Sequence, residues 1–189
     1  IYLHTRDRNV DSVEKLQGKR IATLDYDSAS VRMVRHVGAS VVGSNSANFA
    51  GKFNNGSVDL AYAPAVAYQP LELYKGVGEK GGVFKYALAY MNFQVIIHRD
   101  RFPDEAGQMV RDQAIKRLDE AYAIIAEAES GIPDNVWMHP PAKDVAEYDK
   151  MLRQVRLSLL EDGVYDERAI KLMKAIRCRV DGARSECAS

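Results

Sequence analysis

The sequence predicts an α/β fold whose core is a parallel sheet, followed by a helical half. Between Gly18 and Tyr74, three brief runs rich in β-branched residues or alanine (20–24, 40–43 and 58–62) alternate with helical segments. Each run is bounded by Gly, Ser, Asn or Asp. Strands that alternate with helices imply a parallel sheet. After Pro103 the apolar residues take the helical period, which marks a change of role along the chain. Ligands of parallel sheets lie beyond the carboxyl ends of the strands, so the loops at 25–30 and 63–68 are the places to look for function.

Each element has a local reason. Residues 1–5 read as a strand with no turn or cap before it, as though it continues from a missing N-terminal portion, and 6–17 as a charged connector with a helical turn near 12–16. Asp27 or Ser28 can cap a helix whose apolar face is Val31, Val34 and Val37, with Gly38 as the left-handed residue after it. Phe49, Ala50 and Phe53 share a face of a short helix, and 69–75 reads as another, with Pro70 in its first turn and Gly76 after its end. The aromatic and β-branched run 83–98 is expected to form one or two strands with a bend near 91–92. Beyond Pro103, Met109, Val110, Ala114, Leu118, Ala121 and Ile125 lie on one stripe of a single helix of about 25 residues. A Pro-rich connector, 132–142, carries the only tryptophan, Trp137. Asp144 and Glu147 have capping-box spacing ahead of Tyr148, Leu152, Val155 and Leu159. A last helix from Asp166 is expected to bury Ile170, Met173 and Ile176.

The bulk properties narrow the function. The chain holds 26 basic and 26 acidic side chains, interspersed. No net field draws it to nucleic acid or to an anionic membrane. No apolar run approaches the roughly 20 residues that span a bilayer. Gly76, Gly78 and Gly81 spell G-x-G-x-x-G, but they follow a helix and precede a strand, the reverse of a dinucleotide site, which leaves a turn. Gly18-Lys19-Arg20 enters a strand and lacks the rest of a phosphate-binding loop. The four histidines are scattered, with no metal-ligand spacing, and no G-x-S-x-G elbow is present. No cofactor and no catalytic residue is therefore assigned.

Cys178 and Cys187 admit two readings, a disulfide or two free thiols in a frayed tail. The bridge is favoured because a helix ending near Cys178 leaves the tail loose unless it is tied, and because Gly182 lets the loop turn back. A bridge places the protein in an oxidising compartment such as the periplasm. The candidate ligand groups are those of the two sheet-edge loops. Asp25, Tyr26, Asp27 and Ser28 combine carboxylates, a phenol and a hydroxyl with the free N–H groups of a helix start. For Asp27 and Ser28 the alternative is simple capping. Tyr62, Pro64 and Tyr68 can form an aromatic wall, with core packing as the alternative. Phe93, within the expected strand region 83–98, completes the set.

The segments LQGKRIATL, VGASVV, FNNGSVDLAYAP and the strand before RDRFPDE resemble the second lobe of type II periplasmic solute-binding proteins, most closely the receptors of tripartite ATP-independent (TRAP) transporters. KFNNGSVDLAYAPAVAYQPLELYKGVG with the terminal cysteine pair resembles, more narrowly, solute-binding proteins that genomes sometimes label as resistance-nodulation-division (RND) efflux components. The resemblance covers essentially the whole chain. It implies a non-enzymatic receptor that holds a small molecule between two lobes and delivers it to a membrane transporter, without inserting in the membrane. Residues 1–17 are then a crossing strand and connector, 18–103 the ligand-binding lobe with a hinge strand, and 104–189 helices that pack across to the other lobe, whose first part is absent. The alternative is an accessory or adaptor protein of an efflux system. TRAP receptors typically carry an arginine where this chain has Ala22, counting from Gly18, and often an asparagine at the place of Ala63. Both exchanges point away from a dicarboxylate and toward a more apolar or cationic ligand.

Overall fold

The computed structural model describes residues 1–90 and 94–187. Six strands form one sheet: β1 (Tyr2–Thr5), β2 (Arg20–Leu24), β3 (Ser40–Ser44), β4 (Leu60–Ala63), β5 (Gly82–Phe84) and β6 (Trp137–Met138), in the order β3-β2-β4-β1-β5-β6. The described residues hold seven α-helices: α1 (Ser28–His36), α2 (Phe49–Asn54), α3 (Leu73–Val77), α4 (Ala106–Lys116), α5 (Leu118–Ser130), α6 (Ala142–Glu161) and α7 (Glu167–Val180). β2 pairs in parallel with β3 and β4, and β5 with β6, whereas β1 runs antiparallel between β4 and β5. Because β1 alone is reversed, the carboxyl ends of β2, β4 and β5 share one edge of the sheet with the start of β1.

Side chains alternate across the sheet and build a core on each face. One face buries Ala22, Ala61, Ala63, Val83 and Trp137 against α2, α3 and the turn at 65–68. The other buries Leu3, Ile21, Leu60, Phe84 and Met138 against Val34 of α1 and Tyr148, Met151, Val155 and Leu159 of α6. The two arginines that follow β1 close the ends of these layers. Arg6 donates to the carbonyls of Phe53 at 2.8 Å and Gly76 at 3.2 Å. Arg8 donates to those of Asn135 at 2.7 Å and Trp137 at 3.2 Å.

The first sheet half follows the sequence reading closely, and the second departs from it. Asp27 caps α1 and Gly38 follows its end with φ +70°. Among the described residues of the run 83–98, those up to Phe84 are in a strand and 85–90 and 94–98 are irregular; the bend expected at 91–92 lies outside the described residues. Val95 and Ile96 are exposed, with no neighbouring strand to hold them. The place beside β5 is taken instead by β6, drawn from the Pro-rich connector. The single helix expected after Pro103 is two. Arg117 leaves helical geometry at ψ 8°, its N–H shared between the carbonyls of Gln113 and Ala114, with no Pro or Gly to announce the break. α6 starts at Ala142 behind Pro141, so Asp144 lies inside its first turn and is not its cap. α7 does not bury its apolar face: Met173 and Ile176 are each 53% exposed.

The glycine series sits between α3 and β5, and packing accounts for it. Gly76 lies against the Phe53 ring, Gly78 has φ +56°, and a Cβ on Gly81 would overlap the backbone oxygens of Thr5 and Val77. Those oxygens belong to the sheet and to α3, so they cannot rotate away as a side chain would. Gly81→Ala should therefore destabilise the protein by about 1–3 kcal/mol, read as a lower urea midpoint. An unchanged midpoint would show that this turn is not close-packed.

His4 is fully buried on β1, stacked on Tyr68 at 6.1 Å and edge-on to Phe53 at 6.4 Å. Its Nδ1 lies 3.1 Å from the Tyr2 carbonyl, which can only accept, so Nδ1 carries the proton and Nε2 is left without a partner. Burial lowers its pKa from 6.5 to about 4. Folding therefore favours the neutral ring. Stability is full above the unfolded value and falls as the pH drops from 6.5 toward 4, by about 1.4 kcal/mol per unit. Urea unfolding between pH 7 and about pH 4.5, before most carboxylates protonate, should show this slope. His4→Phe should flatten it.

Candidate functional site

A groove of about 930 Å³ lies at the carboxyl edge of β2, β4 and β5, on the face covered by α1 and α6. Its floor is the irregular segment 85–90 with Tyr62 of β4; its walls are α1, α6 and α7. The apolar side chains that α7 does not bury, Met173, Ile176 and Val180, line it together with Leu152 and Val155 of α6. Tyr62, Tyr86 and Tyr165 supply phenols, and Arg156, Arg177 and Arg184 supply cations. This is the mixed lining expected of a small-molecule site, apolar with a few placed polar groups.

Tyr62 is oriented by its backbone surroundings. Its hydroxyl accepts from the Leu24 N–H at 3.3 Å, and Ser30 and Thr23 hydrogen-bond to it, while burial raises its pKa above the usual phenol value. Burial also raises the Tyr165 pKa. The Tyr86 hydroxyl donates to Asp149 at 2.7 Å, and burial first, then this carboxylate, hold its proton well above the ordinary phenol range. These phenols are therefore neutral donors and acceptors at physiological pH. Nothing in the groove resembles an activated nucleophile.

α1 divides the first candidate loop. Asp27 and Ser30 face the groove, whereas Asp25 and Ser28 line a separate depression of about 550 Å³ between α1 and α6, beside the Arg32–Asp162 ion pair. Tyr26 is 70% exposed and lines neither. Asp27 acts as a helix cap, accepting from the Ser30 N–H at 3.1 Å and from the Ser30 hydroxyl. The expected aromatic wall does not form as one surface. Along β4 alternate residues face opposite ways, so Tyr62 faces the groove side. Tyr68 is 2% exposed in the opposite core, between His4 and Tyr74. Pro64 opens the turn that carries Tyr68 and lines neither cavity. Phe93 lies outside the described residues. Ala22 and Ala63 are buried beneath α2 and α3, 3% and 1% exposed, so side chains at these positions face away from the groove.

The sequence reading missed Ser30, Tyr86, Tyr165 and the arginines of α6 and α7. Arg156 and Arg177 each follow an apolar helix residue, Val155 and Ile176, which places them at the margin of an apolar face. That signal is present, and the place of both helices along one groove gives it meaning. The cysteines do form the Cys178–Cys187 disulfide, with Cα atoms 5.6 Å apart. Among the described residues no group of three or more His, Cys, Asp or Glu could hold a metal ion.

A family described as "Solute-binding protein AdeT 1/2" matches residues 1–189. The chain belongs to the AdeT1/2 solute-binding family. It is 38% identical over 187 residues to "Probable solute-binding protein AdeT1" of Acinetobacter baumannii, covering 99% of this chain and 62% of that protein. The AdeT2 protein of the same organism is 26% identical over 182 residues, covering 96% of this chain and 76% of its own length. This AdeT-family chain thus spans less than two thirds of AdeT1. Among solved structures, a TRAP periplasmic solute-binding protein of Desulfovibrio salexigens with bound orotic acid superposes with a TM-score of 0.71 at 15% identity, over 95% of this chain and 60% of the other. The periplasmic ectoine-binding protein of the Halomonas elongata TeaABC TRAP transporter gives 0.64 at 15% identity, over 90% and 57%. At these identities the likeness establishes the fold: a TRAP-like α/β architecture with a parallel-core sheet.

Asp27→Ala should cost about 1 kcal/mol through the lost cap of α1. Thermal unfolding measures the loss. A wild-type melting temperature in that variant would mean that α1 does not depend on its cap.

Proposed function

We propose that this AdeT-family chain is a non-catalytic periplasmic binding protein whose groove captures a small, uncharged and largely apolar solute for presentation to a membrane transporter. The observation that carries the reading is the groove itself. It lies beyond the carboxyl edge of the parallel strands and is lined by the otherwise unburied apolar side of α7 and by Tyr62, Tyr86 and Tyr165. Family membership supports a binding role, and the disulfide supports an oxidising compartment. Among the described residues no helix is long and apolar enough to cross a membrane. In this reading residues 18–103 form one jaw, helices of 104–189 reach toward a second, and hinge motion closes them. We assign the second jaw to the kind of additional length that AdeT1 carries. Asp27 and Ser30 contribute polar contacts at the mouth; Tyr62 is the residue common to the sequence reading and the groove lining.

One observation favours a second reading, an accessory protein of an efflux system. Leu118, Tyr122 and Ile125 stand exposed at helical spacing along α5, and exposed apolar surface of this kind is characteristic of protein contact.

Native mass spectrometry of the full-length protein purified from its periplasm separates the two. The solute-binding reading expects one co-purified small molecule, lost on Ile176→Asp, and an affinity reduced about tenfold or more by Tyr62→Ala. A protein that retains no small molecule and co-purifies only with a polypeptide through α5 would overturn it.

A further inference from the structure

The groove wall formed by α6, α7 and the C-terminal turn carries more charge than the uncharged solute proposed above requires. Arg177 of α7 grips Glu186 in a bidentate pair, Nε to Oε1 at 2.7 Å and Nη2 to Oε2 at 3.0 Å. Arg156 of α6 approaches the same carboxylate at 3.6 Å and Arg184 at 3.5 Å. Glu186 is only 7% exposed. Arg184 also reaches Asp149 at 3.7 Å, the carboxylate that accepts from Tyr86. The three guanidinium groups and Asp149 line the groove, whereas Glu186 is not itself part of the lining and is held by these arginines behind it. The other charged lining groups have partners of their own: Asp27 at the α1 cap, Lys85 4.4 Å above the Trp137 ring, and Asp181 accepting from the Ala183 N–H at 3.1 Å.

A planar fork of N–H donors around a carboxylate is the arrangement by which arginines hold a ligand carboxylate. Here the carboxylate is supplied by the chain itself, and covalent chemistry fixes where it sits. Cys187, the next residue, is bonded to Cys178, one residue along α7 from Arg177. The bridge thus returns the chain to the helix beside the arginine it must meet. The arginines hold Glu186 ionised, with its pKa lowered to about 2. The site stays filled throughout the physiological range.

Building on the solute-binding reading, we propose that Arg156, Arg177 and Arg184 form an anion subsite of the groove, and that Glu186, latched by the Cys178–Cys187 bridge, is its built-in occupant and a specificity-determining residue. With Glu186 in place the groove takes uncharged apolar solutes and rejects carboxylates. With Glu186 removed, or its latch opened, the same wall takes a carboxylate on an apolar body.

The test uses the full-length oxidised protein and two probes of one shape, 2-naphthamide and 2-naphthoate, titrated by calorimetry. Wild type should bind the amide and discriminate against the carboxylate. Glu186→Gln should bind the carboxylate about tenfold or more tightly than wild type does, with amide affinity unchanged within about threefold. Adding Arg177→Gln to Glu186→Gln should abolish the gain. Should Glu186→Gln fail to fold, the Cys178→Ser/Cys187→Ser protein replaces it, and the same carboxylate gain is expected. If Glu186 merely pins the tail, Glu186→Gln raises protease sensitivity after α7 with no carboxylate gain, and the inference fails. An equal gain for both probes overturns it too, because it reports a widened groove and no anion subsite. A protein that binds the amide but never gains the carboxylate refutes this inference alone. One that gains the carboxylate without ever binding the amide refutes the uncharged-solute reading and leaves the anion subsite standing.

Discussion

The architecture depends on β1 lying antiparallel between β4 and β5. Four residues join two parallel ladders that would otherwise be separate edges, β3-β2-β4 on one side and β5-β6 on the other. A strand buried on both faces and bonded along both edges must satisfy every polar group it carries into the interior. The sequence meets this along the backbone, with Leu3 and Tyr2 on opposite faces, and departs from it at one atom: the His4 Nε2 has no partner, and the neutral ring is used as an aromatic plate beside Phe53 and Tyr68. Immediately afterwards Arg6 and Arg8 spread to carbonyls at the ends of α2, within α3 and around β6. The eight residues from Ile1 to Arg8 therefore tie together segments up to 129 positions away in the chain. The reversed direction of β1 also brings its start to the carboxyl edge of its neighbours, where Ile1 becomes part of the groove lining.

The part of the fold visible in the sequence is the part whose determinants are local. β2 has the predicted bounds, Asp27 caps α1, and Gly38 ends it, because each depends on a few adjacent residues. What the sequence could not supply is decided by partners. Residues 94–98 have strong β character and stay irregular because β6 has the edge beside β5; Trp137 and Met138 become a strand inside a proline-rich connector for the same reason. The break at Arg117 has no local signal at all. The candidate site divides similarly. Asp27 and Tyr62 belong to sheet-edge positions that are predictable places, whereas Arg156, Arg177 and Tyr165 enter because α6, α7 and the turn between them border the same groove. Tyr62 and Tyr68 looked equivalent in sequence, but strand alternation and the turn after Pro64 put them in opposite cores.

The two faces of the sheet consequently have different characters. The face beneath α2 and α3 is filled by small residues and aromatic rings and offers no cavity that contributes to the groove. The face beneath α1 and α6 is incompletely covered near the carboxyl edge, because α7 stands beside α6 with its apolar side turned to open space. Apolar surface left in that position is unfavourable for an isolated domain and useful for one that binds a solute or another polypeptide.

Ala22, Ala61 and Ala63 also bear on how the chain can change. Their short side chains let α2 and its Phe53 settle directly onto the sheet. A mutation that introduced a long polar side chain at position 22 would have to displace that ring before it could touch any solute, and the folded population would shrink before specificity improved. On the proposed reading, a change of solute preference falls less to the strand residues than to the surface helices of the opposite face. There the exposed side chains of α7 can vary residue by residue with little penalty to the core, so the selectivity of the groove and the packing of the sheet are separable properties of this chain.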